Sequence, residues 1–222
     1  MEVSFMSNAK QIDQLLEGFL KRGLPGCGLK VVQYGNTLYE GYFGVTDIDT
    51  KTPVTKDTLF RQASMSKIPL YTVMMMLYER GKFLLTDPIG DYLPEWKTST
   101  RYDRHPNGYV DIVPTSRPIN IRDVMSMKCG LPYCNSAAPT HDLVMTGMQE
   151  CMQPLWEKGS YTLKEHLSAM SKAPLACDPG THWIYGFSSE LAAGIIEAVC
   201  DKPVNDVFKE MLFDPLGMKD TA

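Results

Sequence analysis

Hydrophobic and polar positions follow distinct periods in successive stretches of the chain. Between residues 8 and 22, Ile12, Leu15, Leu16 and Phe19 fall on one side of a 3.6-residue repeat, which predicts an amphipathic helix stopped by Gly23. Residues 28–33 and 37–43 are rich in strand formers and flank Tyr34-Gly35-Asn36, so they predict an antiparallel hairpin with a tight turn. Residues 64–80 are apolar nearly all round, through Met65, Ile68, Leu70, Val73, Met74, Met75, Met76 and Leu77. That pattern predicts a buried central helix ending at Gly81. A further helical stretch is expected near 88–93. Residues 97–120, with many Thr, Ser, Arg, Pro and Asn, read as a long loop. A short helix over 121–127, an irregular stretch over 130–140 and amphipathic helices over 141–152 and 163–171 follow. A turn at 174–181 and helices over 189–200 and 204–212 complete the pattern.

Composition narrows the classes. The 222 residues are 44% apolar and 22% charged, ordinary for one globular domain, or one with a sizeable insertion. The net charge of −4 offers no basic face, so nucleic acid is not an expected partner. The longest apolar run, 73–78, is far too short to cross a bilayer, and no membrane association is expected. The opening MEVSFMSNAK lacks the basic-then-apolar order of a secretion signal. Six cysteines without CxxC spacing then read as free thiols in a reducing compartment, and a cytoplasmic location is expected. The histidines at 105, 141, 166 and 182 form no metal-ligand pattern. Cys134 with His141 is the one pair within reach of each other, below what a zinc site needs. Neither a metal nor another cofactor is expected.

The candidate chemistry sits at Ser64-Met65-Ser66-Lys67. Residues three apart on a helix share a face, so a hydroxyl and an amine meet there. Serine is a weak nucleophile and needs an adjacent base. Burial and the positive end of a helix dipole would each lower a lysine pKa, so Lys67 is expected as the proton acceptor. The blander reading makes Ser64 a helix N-cap and Lys67 a solvated first-turn side chain. The tetrapeptide is weak evidence alone, since about one per chain of this size arises by chance and Ser7-Asn8-Ala9-Lys10 is a second instance. Only Ser64 opens a long apolar helix.

Four segments in order then resemble the β-lactamase-related serine hydrolases, a group spanning class C β-lactamases, DD-peptidases and β-lactamase-like carboxylesterases. They are TLFRQASMSKIPLYTVMMMLYERGKFLLTDPIGDYLPEW (58–96), INIRDVMSMKCGLPY (119–133), PGTHWIYGFSSELAAGIIEAV (179–199) and FDPLGMKDT (213–221). The resemblance implies an α/β (α+β) fold of the β-lactamase/transpeptidase type, an antiparallel sheet flanked by helices plus a mostly helical region. It divides the chain into residues 1–83 (N-terminal helix, hairpin and nucleophile helix), 84–188 (mostly helical) and 189–222 (helices returning to the sheet layer). It also implies a second catalytic residue, Tyr185, whose phenol would lie near the Ser64 oxygen and share the proton transfer. By residue type alone, Tyr185 reads instead as a packed core ring, and it is the resemblance that favours catalysis.

Departures from the family pattern bear on the substrate. Position 187 is Phe where class C β-lactamases carry Asn, and a phenyl ring cannot donate a hydrogen bond to a substrate amide. Phe187 and Ser188 are the expected substrate-contacting positions, with Ser188 or Ser189 open to reading as N-caps. Cys129, in place of a serine common before Gly-Leu, reads as a buried structural thiol. The family's third motif (Lys-Thr-Gly, His-x-Gly or Trp-Gly-Gly) is not found, and the one hairpin is too little sheet to cover a buried helix. The chain therefore reads as incomplete at its C-terminus, with a C-terminal fragment of the same protein expected as a possible second chain. The activity expected is hydrolysis of a small carboxylic ester through an acyl-enzyme. The alternatives are a β-lactamase or D-amino-acid peptidase acting on an amide, an acyltransferase of the same fold, and a non-catalytic binding protein.

Overall fold

A computed structural model of the chain describes residues 2–134 and 142–221, with side chains from residue 9 onward. The stretch expected to be irregular, 130–140, and the pairing of Cys134 with His141 lie partly outside the described residues. Two compact units emerge, residues 1–61 and 62–222.

The first unit opens with α1 (Glu2–Lys21), longer at its start than its apolar stripe predicts. The second Ser-x-x-Lys, residues 7–10, falls inside this helix, with Lys10 exposed. The hairpin forms as expected from β1 (Gly26–Gln33) and β2 (Asn36–Gly44), antiparallel, with Gly26 opposite Gly44 and Gln33 opposite Asn36. Tyr34 and Gly35 take φ of 48° and 78°, the paired positive values that match the twist of a two-residue hairpin turn. Tyr39 of β2, buried, donates to the Asp13 carboxylate of α1 at 2.6 Å and ties helix to hairpin.

The second unit is built around α6 (Ser188–Cys200). Leu191, Ala192, Ile195 and Ile196 are fully buried, and the helix packs on α2 (Lys67–Glu79), α3 (Ile121–Met125), α5 (Leu163–Met170) and α7 (Val204–Phe208). Gly194 lets α5 approach, since a Cβ there would run into Leu167. α4 (Leu143–Lys158) lies against α5. Asp142 caps α4 by accepting from the N–H groups of Val144 and Met145, and Gly159 stops it with a φ of 77°. α7 continues into a wider helical turn, Lys209–Phe213. Among the described residues no helix is long and apolar enough to cross a membrane.

Three sequence expectations change. Residues 97–120 are not a plain loop: they contain β3 (Thr100–Arg104) and β4 (Val110–Pro114), a second antiparallel hairpin. β3 carries charges at Arg101, Asp103 and Arg104 and β4 is a five-residue strand interrupted by Asp111, so no long apolar run marks them. Backbone bonds from outside hold it, Tyr102 N–H to the Leu175 carbonyl at 2.9 Å and Leu175 N–H to the Thr100 carbonyl at 2.7 Å. The helix expected near 88–93 is two single turns, Ile89–Asp91 and Pro94–Trp96, because Pro94 cannot continue the first. The helix expected over 64–80 starts its α-helical part at Lys67, after a tighter turn, Ala63–Ser66. It is not buried all round: Leu70, Val73, Met74 and Leu77 face the core while Met65, Ile68 and Met75 are exposed. Only the first set lies on the side that meets α6.

Candidate active site

Ser64 lies in the Ala63–Ser66 turn that precedes α2. Ala63 takes a φ of 45°, a left-handed conformation a non-glycine residue adopts only at some cost. The Ser66 hydroxyl donates to the Ala63 carbonyl at 2.6 Å and braces the turn. One turn further on, Lys67 opens α2, with Pro69 behind it where no backbone N–H is needed. The spacing delivers what the sequence expects of it: the Lys67 ammonium donates to the Ser64 Oγ at 3.2 Å.

Two phenols close on this pair from distant segments. Residues 127–132 and 184–187 run alongside each other. The Ile184 N–H donates to the Met127 carbonyl at 2.9 Å, the Phe187 N–H donates to the Leu131 carbonyl at 3.1 Å, and Pro132 bridges Gly186. Gly186 is required there, because a Cβ would collide with the Leu131 carbonyl oxygen. The pairing brings Tyr185 and Tyr133 side by side, ring centroids 5.5 Å apart and nearly perpendicular. The Tyr185 hydroxyl donates to the Ser64 Oγ at 2.9 Å. Lys67 donates to the Tyr133 oxygen at 3.2 Å, and its Nζ lies 5.1 Å from the Tyr185 ring centroid and 5.8 Å from that of Tyr133.

The electrostatics bear on the role expected of Lys67. Burial does push Lys67 down, but hydrogen bonds to Tyr133 and Tyr185 and their coulombic attraction outweigh it, and its pKa is raised. The partner shift is consistent: hydrogen bonding to Ser64 first, then Lys67, lowers the Tyr185 phenol below its ordinary value. The two shifts run in opposite senses, the amine toward its charged form and the phenol toward its own. Burial and the helix dipole are legible in the spacing around Lys67, whereas two phenols from distant segments are not.

The remaining sequence candidates sit behind this group. Phe187 is 8% exposed and packs edge-on against Tyr133 at 4.8 Å. Ser188 is fully buried in the first turn of α6, its hydroxyl without a hydrogen-bond partner among the described residues. Cys129 is a buried thiol that burial pushes up to about 12, and all six cysteines are unpaired. Tyr133 is the residue sequence reasoning missed. It ends the segment 119–133 that carries the family resemblance, and nothing in its spacing from residue 67 announces the contact.

Comparison with known proteins fits this geometry. The chain is similar to Esterase EstB of Burkholderia gladioli, 25% identical over 217 residues, covering 96% of this chain and 51% of that protein. It is also similar to the D-alanyl-D-alanine-carboxypeptidase/endopeptidase AmpH of Escherichia coli, 24% identical over 205 residues, covering 92% of this chain and 46% of that one. Among solved structures, EstCE1, described as a hydrolase with promiscuous acyltransferase activity, superposes with a TM-score of 0.79 at 23% identity, over 97% of this chain and 53% of its own, and shares the fold. The chain spans about half the length of these relatives. Its residues 12–222 match the Beta-lactamase family, and the chain belongs to that family, with its β-lactamase/transpeptidase-like fold.

Proposed function

We propose that the protein is a serine hydrolase that cleaves small carboxylic esters through an acyl-enzyme, with Ser64 as nucleophile, Tyr185 as proton carrier and Lys67 as the fixed positive charge. The observation that carries this reading is the convergence on one oxygen: Ser64 Oγ has the Lys67 amine at 3.2 Å and the Tyr185 oxygen at 2.9 Å. Both lie within the reach required for proton transfer. An ordinary lysine is roughly one part in a few thousand uncharged at neutral pH, and Lys67 is shifted further from that state. Lys67 therefore works as an ammonium that favours the phenolate of Tyr185.

In the first half-reaction the contact between Tyr185 and Ser64 reverses its sense. The hydroxyl of Ser64 gives its proton to the Tyr185 phenolate as its oxygen bonds to the substrate carbonyl carbon. The tetrahedral adduct collapses as Tyr185 passes that proton to the departing alcohol oxygen, leaving the acyl group on Ser64. Water then repeats the sequence: it loses a proton to Tyr185, attacks the acyl carbon, and Ser64 departs with the proton. Tyr133 holds the other side of the ammonium and keeps Lys67 between the two phenols.

An ester rather than an amide is favoured by position 187, where the amide-orienting asparagine of class C β-lactamases is absent and the phenyl ring packs back on Tyr133 instead. Similarity to an esterase at 25% identity points the same way. The experiment is turnover of p-nitrophenyl esters and of nitrocefin by wild-type protein and by Ser64→Ala. Ester hydrolysis lost in the variant is expected. Nitrocefin turnover faster than ester turnover would transfer the assignment to a lactamase, and a protein inert to both esters and a fluorophosphonate probe would make it a binding protein.

A further inference from the structure

One large ring beside the site takes no part in that chemistry. Trp183 is 65% exposed, whereas Trp96 is buried and Trp156 packs against the core. Beside a reactive group, an open indole offers a flat apolar face to whatever the site takes. Trp183 also ends a continuous series of ring contacts. It lies 6.2 Å from Tyr185 at a 31° tilt, Tyr185 touches Tyr133, Tyr133 touches Phe187, and Phe187 meets His166 at 5.7 Å. The series sinks into the second unit at Phe187. It runs on through His166 to Tyr161, 39% exposed, and its other end, beside the Ser64 hydroxyl, is Trp183 with Tyr185, itself 43% exposed.

The path of the proton decides which half of a substrate meets this end. Tyr185 returns the proton to the leaving oxygen, so that oxygen must lie at the Tyr185 hydroxyl when the bond breaks. Whatever the leaving oxygen carries starts at Tyr185 and passes the ring next to it. The acyl group hangs from the carbon bonded to Ser64 and is under no such constraint. We infer that Trp183 is a specificity-determining wall for the alcohol half of the substrate, selecting esters of apolar, ring-bearing alcohols whose flat ring stacks on the indole. This rests on the reading of Tyr185 as proton carrier.

Two measurements on the full-length protein test it. In the first, 2-naphthylmethanol is titrated by calorimetry against wild type, Ser64→Ala and Trp183→Ala, with no turnover required. Binding retained in Ser64→Ala and weakened about tenfold in Trp183→Ala is expected, with Trp183→Phe restoring most of it. No binding to wild type, or equal binding to Trp183→Ala, overturns the wall. The second compares 2-naphthylmethyl acetate with ethyl 2-naphthylacetate, which carry the same ring on opposite sides of the ester. The ratio of their kcat/KM values is expected to favour the acetate and to fall about tenfold in Trp183→Ala. A ratio unmoved by the substitution overturns the assignment to the alcohol side. Failure to hydrolyse either ester sinks the hydrolase reading instead, and the titration still decides whether Trp183 is a wall.

Discussion

The nucleophile turn and the phenol-bearing segments meet at one oxygen, yet they are held there by different means. Ser64 and Lys67 are three residues apart, and one short stretch of backbone fixes their contact. Tyr133 and Tyr185 come from separate segments, held together by a few backbone bonds and by the absence of a side chain at Gly186. The first half of the site is local and exposed; the second is non-local and rooted in the core through Phe187 and α6. A catalytic group can thus be positioned either by helical spacing or by packing, and the two fail differently when disturbed.

The sharpest break removes the point where the halves meet. Ser64→Ala is expected to lower kcat/KM for a p-nitrophenyl ester by roughly 10⁴-fold or more, and residual turnover near the wild-type rate would relocate the chemistry. Next come changes confined to the non-local half. Tyr185→Phe leaves the ring contacts but removes the proton carrier, and a loss of about 10²- to 10⁴-fold in kcat is expected from steady-state kinetics. Gly186→Ala drives a methyl into the Leu131 carbonyl and separates Tyr185 from Ser64 without touching the nucleophile turn. It is expected to slow fluorophosphonate labelling of Ser64 by about 10²-fold while the far-ultraviolet circular dichroism is kept.

A finer test uses pH. On the proposed mechanism the phenolate form of Tyr185 is the active one, so kcat/KM is expected to rise with pH through a pKa held below the usual tyrosine value by Ser64 and Lys67. Lys67→Met removes the positive neighbour, protonation of the phenolate becomes easier, and the rising limb is expected to move to higher pH. A limb that moves to lower pH would return the base role to the lysine. The smallest effect belongs to the local half. Ala63→Gly relaxes a positive φ and is expected to stabilise the fold by about 1 kcal/mol in urea denaturation, with the Ser64–Lys67 contact intact.

How much was legible follows the same division. The first hairpin was readable because strand formers flank a Gly-containing tight turn, and α6 because its apolar residues repeat with the helical period. The second hairpin was not, because β3 carries Arg101, Asp103 and Arg104 and takes backbone partners from Leu175, and β4 is only five residues long with Asp111 inside it. The all-round apolar character of residues 64–80 was correctly seen but misread as all-round burial, since composition gives what a helix tolerates and not what covers it. Tyr185 was found by resemblance, whereas Tyr133, inside another matching segment, carried no mark of its role.

The sequence by itself determined that Ser64 and Lys67 meet, because three residues of helical chain fix their separation whatever surrounds them. It also determined the family, through four ordered segments. Only the tertiary structure decided what surrounds Lys67 and pushes its pKa up. A pKa is set by the groups close to the titrating atom, and besides Ser64 those are two phenols, Tyr133 and Tyr185, from positions 66 and 118 further along the chain, brought in by packing that no local spacing encodes.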